Sequence, residues 1–109
     1  MSTDYAFDVY QEEAMSFRLP TATHNYAWNN LVGEVGELFS LVAKAERDGI
    51  KDPMEHATKY KKELGDILWS LAAIAQDNGW TLSDVAMTNV AKLQSRADRK
   101  KLQGSGDNR

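Results

Sequence analysis

The chain has 109 residues, the length of one domain, and its 42% hydrophobic and 27% charged residues are ordinary for a soluble globular protein. Thirteen Lys+Arg against sixteen Asp+Glu give a formal charge of −3, which disfavours a nucleic-acid partner; no apolar run approaches the roughly 20 residues of a membrane span, and Met1 to Tyr5 lacks the features of a signal peptide. Zero cysteines exclude disulfides, thiolate zinc sites and cysteine nucleophiles, and they fit a reducing, cytoplasmic setting.

The first predicted helix covers 4–18, on a loose stripe of Tyr5, Val9, Tyr10, Ala14 and Phe17, with Pro20 ending it. A second runs from about 26 to 47, where Leu31, Val35, Leu38 and Val42 recur at helical spacing and Gly49 offers a left-handed stop with Ile50 as its apolar contact. Asp52-Pro53 reads as an N-cap followed by a first-turn proline, opening a third helix over 53–78. Its run Ile67 to Ala75 should be buried nearly all round, and Gly79 stops it. Thr81 and Asp84 form a capping-box-like start to a fourth helix ending near 102, with Trp80 packing under the preceding turn. The expected architecture is all-α, a four-helix bundle-like domain over 1–103 with a flexible tail at 104–109. A thin core and extensive apolar surface predict a homodimer or a dimer of dimers, a homotetramer.

Four carboxylates interrupt the apolar faces. Glu34 and Glu37 are three residues apart, as are Glu63 and Asp66, so each pair lies within roughly 60° on one helix face. The first pair points the same way as Leu31, Leu38 and Leu41, and the second shares its face with Tyr60, Ile67 and Ile74. A carboxylate taken out of water without a partner costs several kcal/mol, and four converging acids repel one another. Basic side chains look scarce on these faces, so a bound cation answers the charge better than solvated i,i+4 pairing. All-oxygen ligation suits Mg²⁺, with Mn²⁺ as the alternative. A di-iron bundle would want Glu-x-x-His, and His24 and His56 both fall outside the pairs. Gly33, Gly36 and Gly65 sit inside predicted helices, where each costs about 0.5–1 kcal/mol, which suggests close helix approach near the acids.

Leu31-Val32-Gly33-Glu34-Val35-Gly36-Glu37-Leu38, then Lys62-Glu63-Leu64-Gly65-Asp66-Ile67-Leu68-Trp69, then Asn89-Val90-Ala91-Lys92-Leu93 with Arg96, closely resemble the MazG-like nucleotide pyrophosphohydrolases. These belong to the all-α NTP pyrophosphatase superfamily, which includes dimeric dUTPases and dCTP pyrophosphatases. The resemblance covers roughly residues 5–100, in the family's order and with 25 residues between Glu37 and Glu63. Gly33 stands where many members carry a further glutamate, as in the dCTP pyrophosphatase-like branch. The resemblance implies that Glu34, Glu37, Glu63 and Asp66 hold Mg²⁺ on the triphosphate of a nucleoside triphosphate. It also implies cleavage between the α- and β-phosphates to a monophosphate and pyrophosphate, for nucleotide-pool control or house-cleaning.

On that reading a free carboxylate edge acts as general base, with Glu34 the residue chosen. Asn89 and Lys92 become contacts to phosphate or sugar, and Arg96, a further turn along, is a candidate for the same role. Leu82, Val85 and Leu93 share that face of the fourth helix, making it core-facing near its start. Trp69, one turn from Asp66, suits a nucleobase platform as well as it suits the core, and Trp28 and His24 precede the first acidic pair and could close over the base. The alternatives carried alongside are a dUTPase or phosphoribosyl-ATP pyrophosphohydrolase variant of the same fold, and a catalytically silent helical module that binds a protein partner.

Overall fold

A computed structural model describes residues 6–100, 103, 104 and 106. Four helices follow one another: α1 (Phe7–Ser16), α2 (His24–Asp48), α3 (Pro53–Asp77) and α4 (Leu82–Asp98). The protein is all-α, with no strand among the described residues. No described helix is long and apolar enough to cross a membrane.

Two long helices dominate, and the punctuation between them sets their geometry. Gly49 takes φ +78°, a left-handed conformation that a side chain would resist, and its N–H closes on the Ala45 carbonyl. Asp52 then caps α3, its carboxylate accepting from the N–H groups of Met54 and Glu55, with Pro53 in the first turn. This short connection folds α2 and α3 into an antiparallel hairpin, the most extensive helix pair in the molecule. Ile50, expected to pack against the cap, is instead exposed.

α1 lies across the far end of α3, and the buried Gln11 fastens it. The Gln11 amide donates to Gln76 Oε1 and to the Trp80 carbonyl, both at 3.0 Å, while its oxygen accepts from the Leu82 N–H at 2.6 Å. Asp8 accepts from the Ser83 N–H, so α1 holds both sides of the α3–α4 turn. Trp80 closes that turn through its backbone; its ring does not pack beneath, being 53% exposed. Thr81 accepts from the Asp84 N–H and caps α4 as its spacing predicts.

Helix ends depart from expectation for local reasons. α1 stops at Ser16 because Arg18 is drawn away to Asp77, a bidentate pair at 2.8 and 2.9 Å, and also donates to the Ala22 carbonyl. Its predicted start at residues 4 and 5 lies outside the described residues. α2 begins earlier than predicted, at His24, and α4 ends earlier, at Asp98, with Lys100 at φ +58° just beyond. Residues 101 and 102 lie outside the described set. So does much of the predicted tail, although Gly106 is described and its carbonyl accepts from Arg96 Nη2 at 3.2 Å.

The core is small. Ala27, Ala73 and Ile74 form one cluster, joined by Met15, Leu31 and Trp69; Ala72, Ala75 and Leu82 form another, joined by Tyr10 and Met15. The run from Ile67 to Ala75 is not buried all round, since Leu71 faces outward. Val9 and Phe17 leave the predicted α1 stripe for the surface, and on α4 Leu82 and Arg96 are buried while Val85 and Leu93 are exposed. α4 packs on α1 and α3 but not on α2, and among the described residues nothing covers them. The radius of gyration is 16.9 Å, against about 13 Å for a compact domain of this length.

Candidate metal centre

The α2–α3 seam is built on alternating spacings of three and four residues. Ala27 meets Ala73 in the core, and Asn30 donates to Ser70 Oγ at 2.8 Å. Next come Glu34, whose field includes Asp66, and Glu37, whose field reaches Glu63. Beyond them Leu41 and Lys44 line one groove with His56 and Lys59. The spacing is that of an antiparallel coiled coil, whose seam positions are normally apolar. Here the central layers are polar, and the two long helices therefore push carboxylates towards one another.

Carboxylate oxygens of Glu34, Glu37 and Glu63 lie within 4.8 Å of one another, an arrangement able to hold a metal ion. Asp66 is outside that group of three, yet its charge acts on both Glu34 and Glu63. The Oε2 atoms of Glu34 and Glu63 are buried without a hydrogen-bond partner. Orphaned buried oxygens of this kind are costly unless a proton or a cation satisfies them. Burial pushes the Glu34 carboxyl above its ordinary range, reinforced by the charges of Asp66, Glu37 and Glu63. Glu63 is raised likewise, by burial first and then by Glu37 and Asp66. Hard oxygen donors, too many negative charges and unsatisfied lone pairs together fit a divalent cation such as Mg²⁺ or Mn²⁺.

The immediate surroundings contain groups that sequence reasoning did not single out. Tyr10 of α1 has its hydroxyl pKa raised by burial and then by the charge of Asp66, so it lies within the field of the acids. Asn30 and Ser70 close the seam one turn away. Basic side chains prove less scarce than the sequence suggests: a groove of about 390 Å³ continues from Glu37 and Glu63 past Ser40 and Leu41, lined by Lys44, Lys59 and Lys62. Lys59 and Lys62 stand four residues before Glu63 and Asp66, and Lys44 two turns after Glu37, but their place beside the acids shows only once the helix register is known. Gly33, Gly36 and Gly65, expected to allow close helix approach, do not: a Cβ at any of them would meet nothing within 4 Å in this chain.

The remaining candidates are dispersed. Trp69 donates its indole N–H to the Ala14 carbonyl at 3.0 Å and forms one wall of a cleft of about 220 Å³ with Phe17, Leu19, Thr21, Ala22 and Tyr26. Trp28 and His24 pair with each other at the surface, Trp28 Nε1–H donating to His24 Nε2 at 3.1 Å with the rings edge to face. His24 Nδ1 lies 3.4 Å from the Asp77 carboxylate. Asn89 and Lys92 line a separate groove of about 430 Å³ with Trp80, Asp84, Val85 and Thr88. They lie on the helix that does not touch α2, so one chain does not bring them into the acidic group. Arg96 is buried, and its guanidinium donates to the Gly106 carbonyl.

Residues 22–100 match the MazG nucleotide pyrophosphohydrolase domain. The gene 37 protein of Mycobacterium phage L5 is 44% identical over 88 residues, which are 78% of this chain and 75% of the phage protein. No solved structure matches the chain.

Proposed function

The chain belongs to the MazG nucleotide pyrophosphohydrolase family, and from that premise we propose that it is a Mg²⁺-dependent enzyme cleaving (d)NTPs between the α- and β-phosphates, giving (d)NMP and pyrophosphate. The observation that carries this reading is the pair of buried, unpartnered oxygens on Glu34 and Glu63 inside an acidic group. A triphosphate carries close to four negative charges and cannot enter such a group unaided. A divalent ion held there neutralises the phosphates and lowers the pKa of a bound water.

Glu34, Glu37, Glu63 and Asp66 are the proposed ligands. Glu34 is also the proposed proton acceptor, through whichever carboxylate edge the ion leaves free. Trp69 with its cleft is the proposed nucleobase platform, and Asn89 and Lys92, with Arg96 beyond them, are proposed to hold phosphate or sugar. Trp28 and His24 are proposed to border the base from the surface. Because Asn89 and Lys92 stand off from the acids within one chain, these roles go with a homodimer or homotetramer that assembles the cleft. The uncovered Val85, Val90 and Leu93 on α4, and Val32 and Phe39 on α2, supply apolar surface for it. The proposed setting is a reducing cytoplasm, and the role is nucleotide-pool control or house-cleaning.

The test is a panel of dNTPs and NTPs with Mg²⁺ and the purified protein, its products resolved by ion exchange. Monophosphate and pyrophosphate are expected, and light scattering should give a dimer or tetramer. Turnover confined to dUTP or to phosphoribosyl-ATP would select those variants. Diphosphate with orthophosphate would overturn the cleavage site. The same uncovered apolar surface also suits a catalytically silent helical partner-binding module, which no turnover and no response to Mg²⁺ would select.

A further inference from the structure

Between the acids and the core lies one polar layer, Asn30 with Ser70. Asn30 stands one turn before Glu34 and Ser70 one turn after Asp66. Ser70 is wholly buried; its hydroxyl accepts from Asn30 at 2.8 Å and donates to the Asp66 carbonyl at 3.3 Å. We propose that Asn30 and Ser70 form a clamp that holds α2 and α3 at the register and spacing the acidic layers need. This positioning role goes beyond the pyrophosphohydrolase reading but rests on its metal site.

Three features carry it. A polar pair in a helix seam costs stability relative to an apolar one, and its best-attested return is a fixed register. The layers beside it hold like charges that push the helices apart, so the seam has most need of a directional bond there. The loop 49–52 ties the hairpin at its other end, with Leu41 and Lys44 between loop and acids. On the core side the next layer, Ala27 with Ala73, offers only small side chains that interlock weakly. Asn30 and Ser70 thus supply a directional contact between α2 and α3 next to the acids, and Ser70 carries it onto the Asp66 backbone.

Mn²⁺ affinity, read by electron paramagnetic resonance, tests the clamp in the wild-type chain and in Asn30→Ala, Asn30→Gln and Gln11→Ala. Asn30→Ala should weaken Mn²⁺ binding by about 10–100-fold, the usual cost of losing a group that orients metal ligands. Asn30→Gln keeps an amide donor and should recover most of that loss. Gln11→Ala breaks the buried network of α1 and should lower the melting temperature while leaving Mn²⁺ affinity unchanged. Equal affinity in Asn30→Ala and wild type would overturn the clamp, as would an equal loss in Gln11→Ala, which would make it a matter of general stability. A wild-type chain that fails to bind Mn²⁺ would overturn the metal site itself, and the clamp with it. The chain has no cysteine, so spin labels can be placed on cysteines introduced at the exposed Asn29 and Leu71, at the end of the hairpin that the loop does not tie. In metal-free Asn30→Ala their distance distribution should broaden, and Mg²⁺ should narrow it again. An unchanged width would refute the proposal.

Discussion

Replacing Glu34 by Gln separates a metal-binding acid from a structural one, because the two effects have opposite signs. The side chain keeps its size and loses its charge. In the folded chain Glu34 lies among carboxylates whose oxygens are within 4.8 Å. One like charge at that distance costs about 0.9 kcal/mol even at the dielectric constant of water. Removing it should raise the melting temperature of the metal-free protein at pH 8 by roughly 4 °C, given the usual relation for a domain of this size. The same change should reduce NTP turnover by about 10²–10⁴-fold if Glu34 accepts the proton. Calorimetry in EDTA and product analysis in Mg²⁺ give the two numbers. A variant that melts lower and turns over normally would refute both the repulsion and the assigned role.

Three further outcomes follow from the same geometry. Burial and neighbouring charge raise the Glu34 and Glu63 carboxyls in the folded state, so the stability they contribute is complete below their ordinary range and is lost as pH rises through the raised one. Metal-free protein should therefore lose this stability as pH rises from the ordinary glutamate range near 4.5, and excess Mg²⁺ should flatten or reverse that slope; a metal-independent slope would count against the site. Arg18→Ala leaves Asp77 without its bidentate partner and should cost about 1–3 kcal/mol in denaturant unfolding. Asp77 is held below its ordinary range, chiefly by its hydrogen bond from Arg18, so that stability should fade as pH drops through the lowered value; the same unfolding free energy with and without Arg18 at pH 7 would contradict this. Trp69→Phe loses the bond to the Ala14 carbonyl, worth about 1 kcal/mol, and should raise KM for the preferred nucleotide more than it lowers kcat. An unchanged KM would leave Trp69 a packing residue.

Much of the hairpin was legible because its signals are local. Gly49, Asp52 and Pro53 act within a few residues of themselves, and the observed turn uses each as its chemistry suggests. The acids were legible for the opposite reason, since they violate the apolar stripes around them. What stayed hidden depends on partners far along the chain. The end of α1 is decided by Arg18 reaching Asp77, and Gln11 looks like a surface residue until Gln76, Trp80 and Leu82 surround it. Asn30 and Ser70 are unremarkable helix residues whose meaning appears only with the α2–α3 register. Helical spacing put Val85 and Leu93 on a core-facing stripe, but spacing cannot say whether a neighbour exists, and among the described residues none covers them. The interior glycines misled in the same way, suggesting a close approach that this fold does not make at those positions.

The most direct test is the melting temperature as a function of Mg²⁺ concentration, in the wild-type chain and in a Glu34→Gln, Glu63→Gln double variant. A ligand at one hundred times its dissociation constant stabilises the folded state by about 2.7 kcal/mol, so the wild-type midpoint should climb by roughly 10 °C by that concentration and go on rising with its logarithm, and the double variant should not respond. Parallel curves for the two proteins would mean that Mg²⁺ does not sit among these acids.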